Sequence, residues 1–171
     1  MHGWTRSAVS MLKGVLLDTS FFLRFLNESD PLFRNADGFF KHLVDHQLPM
    51  YLSTIVVAEF CVAGSIDQLP LKYMKMLPFN VEHAIRAGAF RAAFRGQPTA
   101  PGERVIIAND TKLFAQADAT MEVSHFLTAD EGCKKKFDRL KESGLSPKFA
   151  ILSVRKPLSE VLGELDFPDP T

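Results

Sequence analysis

At 171 residues the chain has room for one domain with a full hydrophobic core and is too short for two comfortable ones. Hydrophobic residues make up 46% of it, with 15 Phe, which excludes disorder across its body. Lys and Arg together number 20, as do Asp and Glu; a polybasic coat for nucleic acid is excluded, and a local basic patch is left open. The only cysteines, Cys61 and Cys133, form no CxxC, and no Cys/His set has structural-zinc spacing, as expected of a reduced intracellular chain. The opening MHGWTRSAVSMLKGVLLD carries no clear cleavage signal, and no stretch reaches the roughly 18 apolar residues of a membrane span. A cytoplasmic protein is expected.

In chain order, an extension over 1–14 precedes Val15-Leu16-Leu17, an apolar run ending at Asp18 that reads as a buried strand. Thr19 to Asn27 reads as a short helix. Asp30-Pro31 is expected to open the next, with Asp as N-cap and Pro at the first position, and Phe33, Phe40, Leu43 and Val44 on one face to about His46. Met50-Tyr51-Leu52 predicts a second strand, after which Ser53 caps a helix to Gly64; the β-branched run Thr54 to Val57 also allows a longer strand. Helices are expected over 68–76 and 81–95, a loop over 96–102, and a helix over 103–119. Val123 to Thr128 predicts a strand, Glu131 to Ser143 a Lys-rich helix stopped by Gly144, and Phe149 to Val154 a last strand. The body is thus expected over 15–154, with a partly ordered tail over 155–171. Alternation of strand and helix predicts a parallel sheet covered on both faces, with its ligand site beyond the carboxyl ends of the strands. Asp18 and Asp130 both follow predicted strands and so share that edge.

Glu59 and Asp110 are the most informative residues. On helices, the three- and four-residue neighbours of Glu59 are Ile55, Val56, Val62 and Ala63; those of Asp110 are Ile106, Ile107, Leu113 and Phe114. Each acid therefore lies in an apolar stripe without a basic neighbour in sequence. A buried unpaired carboxylate is costly and finds a partner or a proton. A hard divalent cation, Mg²⁺ or Mn²⁺, supplies that partner, and two such ions suit phosphodiester cleavage. Each acid alone has an ordinary reading: Asp18 and Asp130 as N-caps, Asp110 as a helix-start acid, Glu59 as a solvated strand residue. Four together, two at strand ends and two on apolar helical faces, are harder to dismiss.

These blocks resemble the PIN-domain nucleases, particularly the VapC-type toxins. VLLDTSFFLRFL is similar to the family's opening strand and its terminal Asp, STIVVAEF to the helix bearing the Glu, VIIANDTKLFAQA to the third block and HFLTADEG to the fourth. The resemblance spans Val15 to Phe137. It implies a three-layer α/β/α sandwich around a parallel sheet, an Mg²⁺- or Mn²⁺-dependent site and endoribonucleolytic cleavage of RNA. It carries over Asp18, Glu59, Asp110 and Asp130 as metal-binding and catalytic carboxylates, with Thr19, Ser20 and Thr128 as hydroxyls supporting them. It also raises an antitoxin partner; a homodimer stays open. Glu131 is an alternative to Asp130, and Asp118 lies two turns beyond Asp110.

Lys134, Lys135 and Lys136 follow Asp130 and are candidates to contact RNA phosphates, against the plainer reading of a solvated helix face. His42 and His46, four apart, lack the Glu of a HExxH site and a third ligand, and read as solvated. A haloacid-dehalogenase-type hydrolase would want a second Asp where Ser20 stands, and a receiver domain would want acidic neighbours for Asp18. The rival from another class is a catalytically silent PIN-like module that binds RNA or a protein partner.

Overall fold

The computed structural model describes residues 12–164. Val15–Leu17 forms β1, fully buried, and Asp18 ends it by donating its backbone N–H to Leu127 O at 3.0 Å. Thr19–Phe25 is α1 and Phe33–Asp45 is α2. The expected start of α2 at Asp30-Pro31 is corrected. Asp30 instead folds a preceding turn, accepting from Leu32 N at 2.8 Å and pairing with Arg24 at 2.6 Å, and Leu32 is the N-cap, without a side-chain bond. The buried side chains of α2 are Ala36, Phe39 and Leu43, with Phe40 and Val44 packed beside them.

Met50–Ser53 forms β2 and Thr54–Phe60 forms α3. Ser53 caps α3 by accepting from Ile55 N at 3.0 Å, so the β-branched run is helical. The expected helix over 68–76 is also corrected: two short 3₁₀ turns, Ile66–Gln68 and Leu71–Tyr73, lead into a strand, β3, at Met74–Leu77. Pro70 falls inside the expected span and Pro78 follows it, which disfavours one continuous helix there. Pairing to β2 from Met50↔Met74 to Ser53↔Leu77 makes it an edge strand instead, with Lys75 at the edge.

Val81–Ala92 is α4 and Glu103–Ala119 is α5. His125–Thr128 is β4, Glu131–Glu142 is α6, and Ala150–Ser153 is β5. Gly144, with φ +84°, follows the end of α6 as expected. Within the expected tail, Leu158–Glu164 forms a further helix, α7, with Val161 buried, and residues 165–171 lie outside the described residues. Most of the 1–14 extension lies outside the described residues.

All five strands run parallel in the order β3-β2-β1-β4-β5. The chain moves outward from β1 to β3, then crosses back to β4 and β5. Right-handed crossovers consequently put the helices after β1 and β2 on one face and those after β3 and β4 on the other, giving the three-layer α/β/α arrangement. The direction reverses between β1 and β4, and that reversal opens a crevice at their carboxyl ends. Beneath it, Phe114 of α5 packs on Phe126 of β4 at 5.3 Å and on Phe149 at 5.6 Å, and Phe137 of α6 meets Phe149 at 5.1 Å. Such ring pairs contribute about 0.5–1.5 kcal/mol each beyond their buried area.

Candidate active site

Asp18 leaves β1 at the crevice and is held by three donors. Thr19 N donates to Oδ1 at 2.8 Å, while the Ser20 and Thr128 hydroxyls donate to Oδ2 at 2.7 and 2.8 Å. Asp18 thus caps α1 and faces the crevice at once. Burial pushes its carboxyl above the ordinary range, and the hydroxyls, the Thr19 N–H and nearby Glu59 act against or with that push. Thr128 Oγ1 also accepts from Asp130 N at 3.0 Å, so one hydroxyl couples the ends of β1 and β4.

Glu59, in the last turn of α3, is drawn to the same edge. Thr19 Oγ1 donates to its Oε2, and Asn109 Nδ2 donates to Oε1 at 2.7 Å. Helix α3 is anchored by fully buried Ser53, which donates to Gln116 Oε1 at 2.5 Å; Gln116 Nε2 in turn donates to Leu77 O at 3.1 Å. That buried pair locks α5 to the ends of β2 and β3.

Asp110 sits on α5 beside Asn109. Burial pushes its carboxyl up to about 6, with the neighbouring Lys136 pulling it back and the Asp18 and Asp130 charges adding to the rise. The absence of a basic neighbour in sequence is therefore corrected in space. Lys136 of α6 places Nζ 2.7 Å from Asp110 Oδ2 and 3.4 Å from Asp130 Oδ2, its side chain only 13% exposed. The buried Asp110 Oδ2 thus has the Lys136 ammonium as its one close partner. Burial alone would lower the Lys136 pKa; Asp110 and Asp130 more than offset it and hold the ammonium above its ordinary value.

Asp130 caps α6 through Gly132 N at 3.1 Å and is the most open of the four acids. The two alternatives fall outside the group. Glu131 is exposed and pairs with Arg155 at 3.1 Å; Asp118 pairs with Arg86 at 2.6 Å and accepts from Lys148 N at 2.7 Å. Of the basic run, Lys134 pairs along α6 with Asp138 at 3.1 Å, and Lys135 is exposed. His42 and His46 stack at 4.0 Å on α2, outside this network.

The four acids thus come from four elements and interact through hydroxyls, an amide and an ammonium. Their oxygen-only donor set suits a hard divalent cation, which at Asp110 Oδ2 would take the place of the Lys136 ammonium. Among the described residues, however, no three His, Cys, Asp or Glu side chains already form a cage for an ion. Sequence reasoning missed Asn109, Gln116 and the buried Cys133, whose thiol is pushed well up by burial beside Asp18, Asp110 and Asp130, and it named Lys136 as a phosphate contact without its pairing to Asp110 and Asp130. Of the missed residues Asn109 left a signal, standing beside Asp110 as a second polar residue among apolar neighbours.

A parallel α/β/α sandwich with acids gathered at its switch point defines a class of protein, and comparison narrows it. The sequence model of the PIN domain matches residues 15–140. The chain belongs to the PIN-domain family, a family of nucleases. No curated protein sequence matches it. Among solved structures, the fold resembles VapBC2 from Rickettsia felis bound to a DNA fragment from its promoter, with a TM-score of 0.53 and 17% identity over 81% of this chain and 97% of that one. It also resembles DNA-bound VapBC from Salmonella typhimurium, at 0.50 and 18% over 84% and 99%. A third likeness is to the sarcin-ricin loop cleaving toxin VapC20 from Mycobacterium tuberculosis, at 0.50 and 14% over 71% and 94%. Among the described residues no helix is long and apolar enough to cross a membrane.

Proposed function

We propose that the protein is an Mg²⁺- or Mn²⁺-dependent endoribonuclease, the toxin member of a toxin–antitoxin pair, with Asp18, Glu59, Asp110 and Asp130 as its metal-binding and catalytic acids. The observation that carries the reading is the meeting of these four acids at the reversal between β1 and β4. Membership of a nuclease family and likeness to VapBC structures support it.

Mg²⁺ or Mn²⁺ held by these carboxylates supplies Lewis-acid stabilisation of charge on the phosphoryl oxygens. The chain's own groups prepare for this. Ser20 and Thr128 fix the Asp18 carboxylate and keep its orientation against repulsion from Glu59. Thr19 and Asn109 do the same for Glu59. Lys136 keeps a cation beside Asp110 and Asp130 and, with Lys134 and Lys135 on the same helix, offers positive charge to a phosphodiester approaching the edge.

Replacing Asp18 by Asn tests the catalytic assignment. The amide fits the same pocket, because the Ser20 and Thr128 hydroxyls can reverse and accept from it, and loss of one charge relieves repulsion with Glu59. Hydrolysis of RNA by the purified protein with Mn²⁺ should vanish while the melting temperature holds or rises. Full activity in D18N would remove Asp18 from the chemistry. Wild type that binds RNA, ignores Mn²⁺ in titration calorimetry and cuts nothing would instead be the silent binding module. The toxin reading is separable: wild type expressed alone should arrest growth of its host, and D18N should not.

A further inference from the structure

Between the end of α4 and the start of α5 lies a cavity of about 510 Å³, within the size range of about 300–1,000 Å³ typical of ligand sites. Arg91, Arg95 and Arg104 line it, together with Gln97 and Thr99, and no carboxylate does. The side chains of Arg91 and Arg95 have no ion-pair or hydrogen-bond partner among the described residues, and that of Arg104 only donates from Nε to Thr99 Oγ1 at 3.2 Å. Three uncompensated guanidinium groups around one concavity repel each other, and an anion relieves that repulsion. Guanidinium forks also match phosphate oxygens two at a time.

The cavity is tied to the acids by two routes. Along α5, Arg104 precedes Asp110 by six residues, a rise of about 9 Å. Across to α6, Gln97 (with its amide turned so that Oε1 faces α6) accepts from Arg139 Nε at 2.8 Å and Nη2 at 2.7 Å. Arg139 stands one turn beyond Lys136, which touches Asp110 and Asp130. Lys136, Arg139 (which also meets Glu142 at 3.8 Å) and Arg104 thus place basic residues between the acid-lined edge and the cavity, a span too long for one phosphate and suited to successive groups of one strand.

We infer that this arginine-lined cavity is a second subsite of the protein, holding a phosphodiester group of single-stranded RNA away from the cleaved bond. The inference rests on the ribonuclease reading for the identity of the strand. Binding through phosphates is sequence-independent and salt-dependent, with a slope set by the number of contacts.

The test uses the full chain carrying D18N, without divalent metal, and a single-stranded RNA oligonucleotide followed by fluorescence anisotropy across a salt series. Adding R91Q, R95Q and R104Q should weaken binding and flatten the slope of log K against log salt by about 0.7, the contribution of one single-strand phosphate contact. A control carrying K41Q, K72Q and K75Q loses the same net charge from α2, the 3₁₀ turn at Leu71–Tyr73 and the β3 edge, and should keep the slope. Arg95 and Arg104 are exposed and Arg91 half-buried, so the changes should leave thermal melts unaltered. Equal flattening in both triple variants, no flattening in either, or no RNA binding by D18N would overturn the subsite. If Arg-dependent binding persists but the protein with Asp18 intact never cuts RNA, the subsite stands and the hydrolase reading falls; cutting with an unchanged slope reverses that result.

Discussion

Lys136 is the residue whose chemistry depends most on the fold around it. Its ammonium compensates Asp110 and Asp130, and Asp110 is the acid that burial pushes up to about 6. The pair therefore stabilises most when Asp110 is ionised. Lys136→Gln should lower the stability of the metal-free protein by about 1–3 kcal/mol near pH 8, the cost of leaving a buried polar group unsatisfied. Nearer pH 5 the loss should be smaller, because Asp110 then carries a proton in both proteins. Urea melts at the two pH values measure this, and equal losses would mean that Lys136 acts through packing of its stem. Mn²⁺ should also raise the melting temperature of K136Q more than that of wild type, since it no longer competes with an ammonium for the same oxygens.

At the scale of elements, the sheet depends on how closely β1 approaches the segment before β4. A Cβ on Gly14 would stand 2.4 Å from the Glu122 carbonyl oxygen, a backbone atom that cannot swing away. Gly38, inside α2, has nothing within 4 Å of the same position. Gly14→Ala should therefore cost about 1–3 kcal/mol as overpacking, whereas Gly38→Ala should add about 0.5–1 kcal/mol from helix propensity. Chemical denaturation of both variants checks the opposite signs; a neutral G14A would mean that the β1 entry shifts freely. Legibility of the sequence followed the same division between local and distant causes. Strands β1, β2, β4 and β5 were readable as apolar runs ending in polar residues, and Ser53 and Asp18 as caps, because each signal lies within a few residues. Strand β3 was not, since Met74–Leu77 is strand only through pairing with Met50–Ser53. Glu59 and Asp110 were nameable from their apolar helical neighbours, and Asp18 and Asp130 from the strands they follow. Their setting was not: Lys136 lies 26 positions from Asp110, and Gln116 lies 63 from Ser53, so neither partner is visible to helical or strand periodicity.

For the whole molecule, two buried groups on adjacent elements make stability depend on pH in opposite senses. Asp110 titrates near 6 in the folded chain, against 3.8 ordinarily, because burial disfavours its charge. The folded state then binds more protons than the unfolded one between about pH 4 and 6, so this group's contribution falls as pH rises through that window. His125 of β4, bonded to Ser124 Oγ at 2.8 Å, is pushed by burial from 6.5 down to about 4. There the unfolded state binds more protons, so its contribution is complete above 6.5 and is lost as pH falls toward 4. The two slopes oppose each other in the metal-free wild type. Asp110→Asn removes the first, so the melting temperature of D110N should rise more steeply than that of wild type between pH 4 and 6.5. His125→Gln should do the reverse, its melting temperature declining relative to wild type over the same range. The difference between each variant and wild type cancels the shared background of the remaining carboxylates. Saturating Mn²⁺ should make wild type resemble D110N in slope, because occupied carboxylates no longer take up the proton. Parallel profiles for wild type and D110N, with or without Mn²⁺, would place Asp110 in ordinary solvent and detach it from both the burial and the metal.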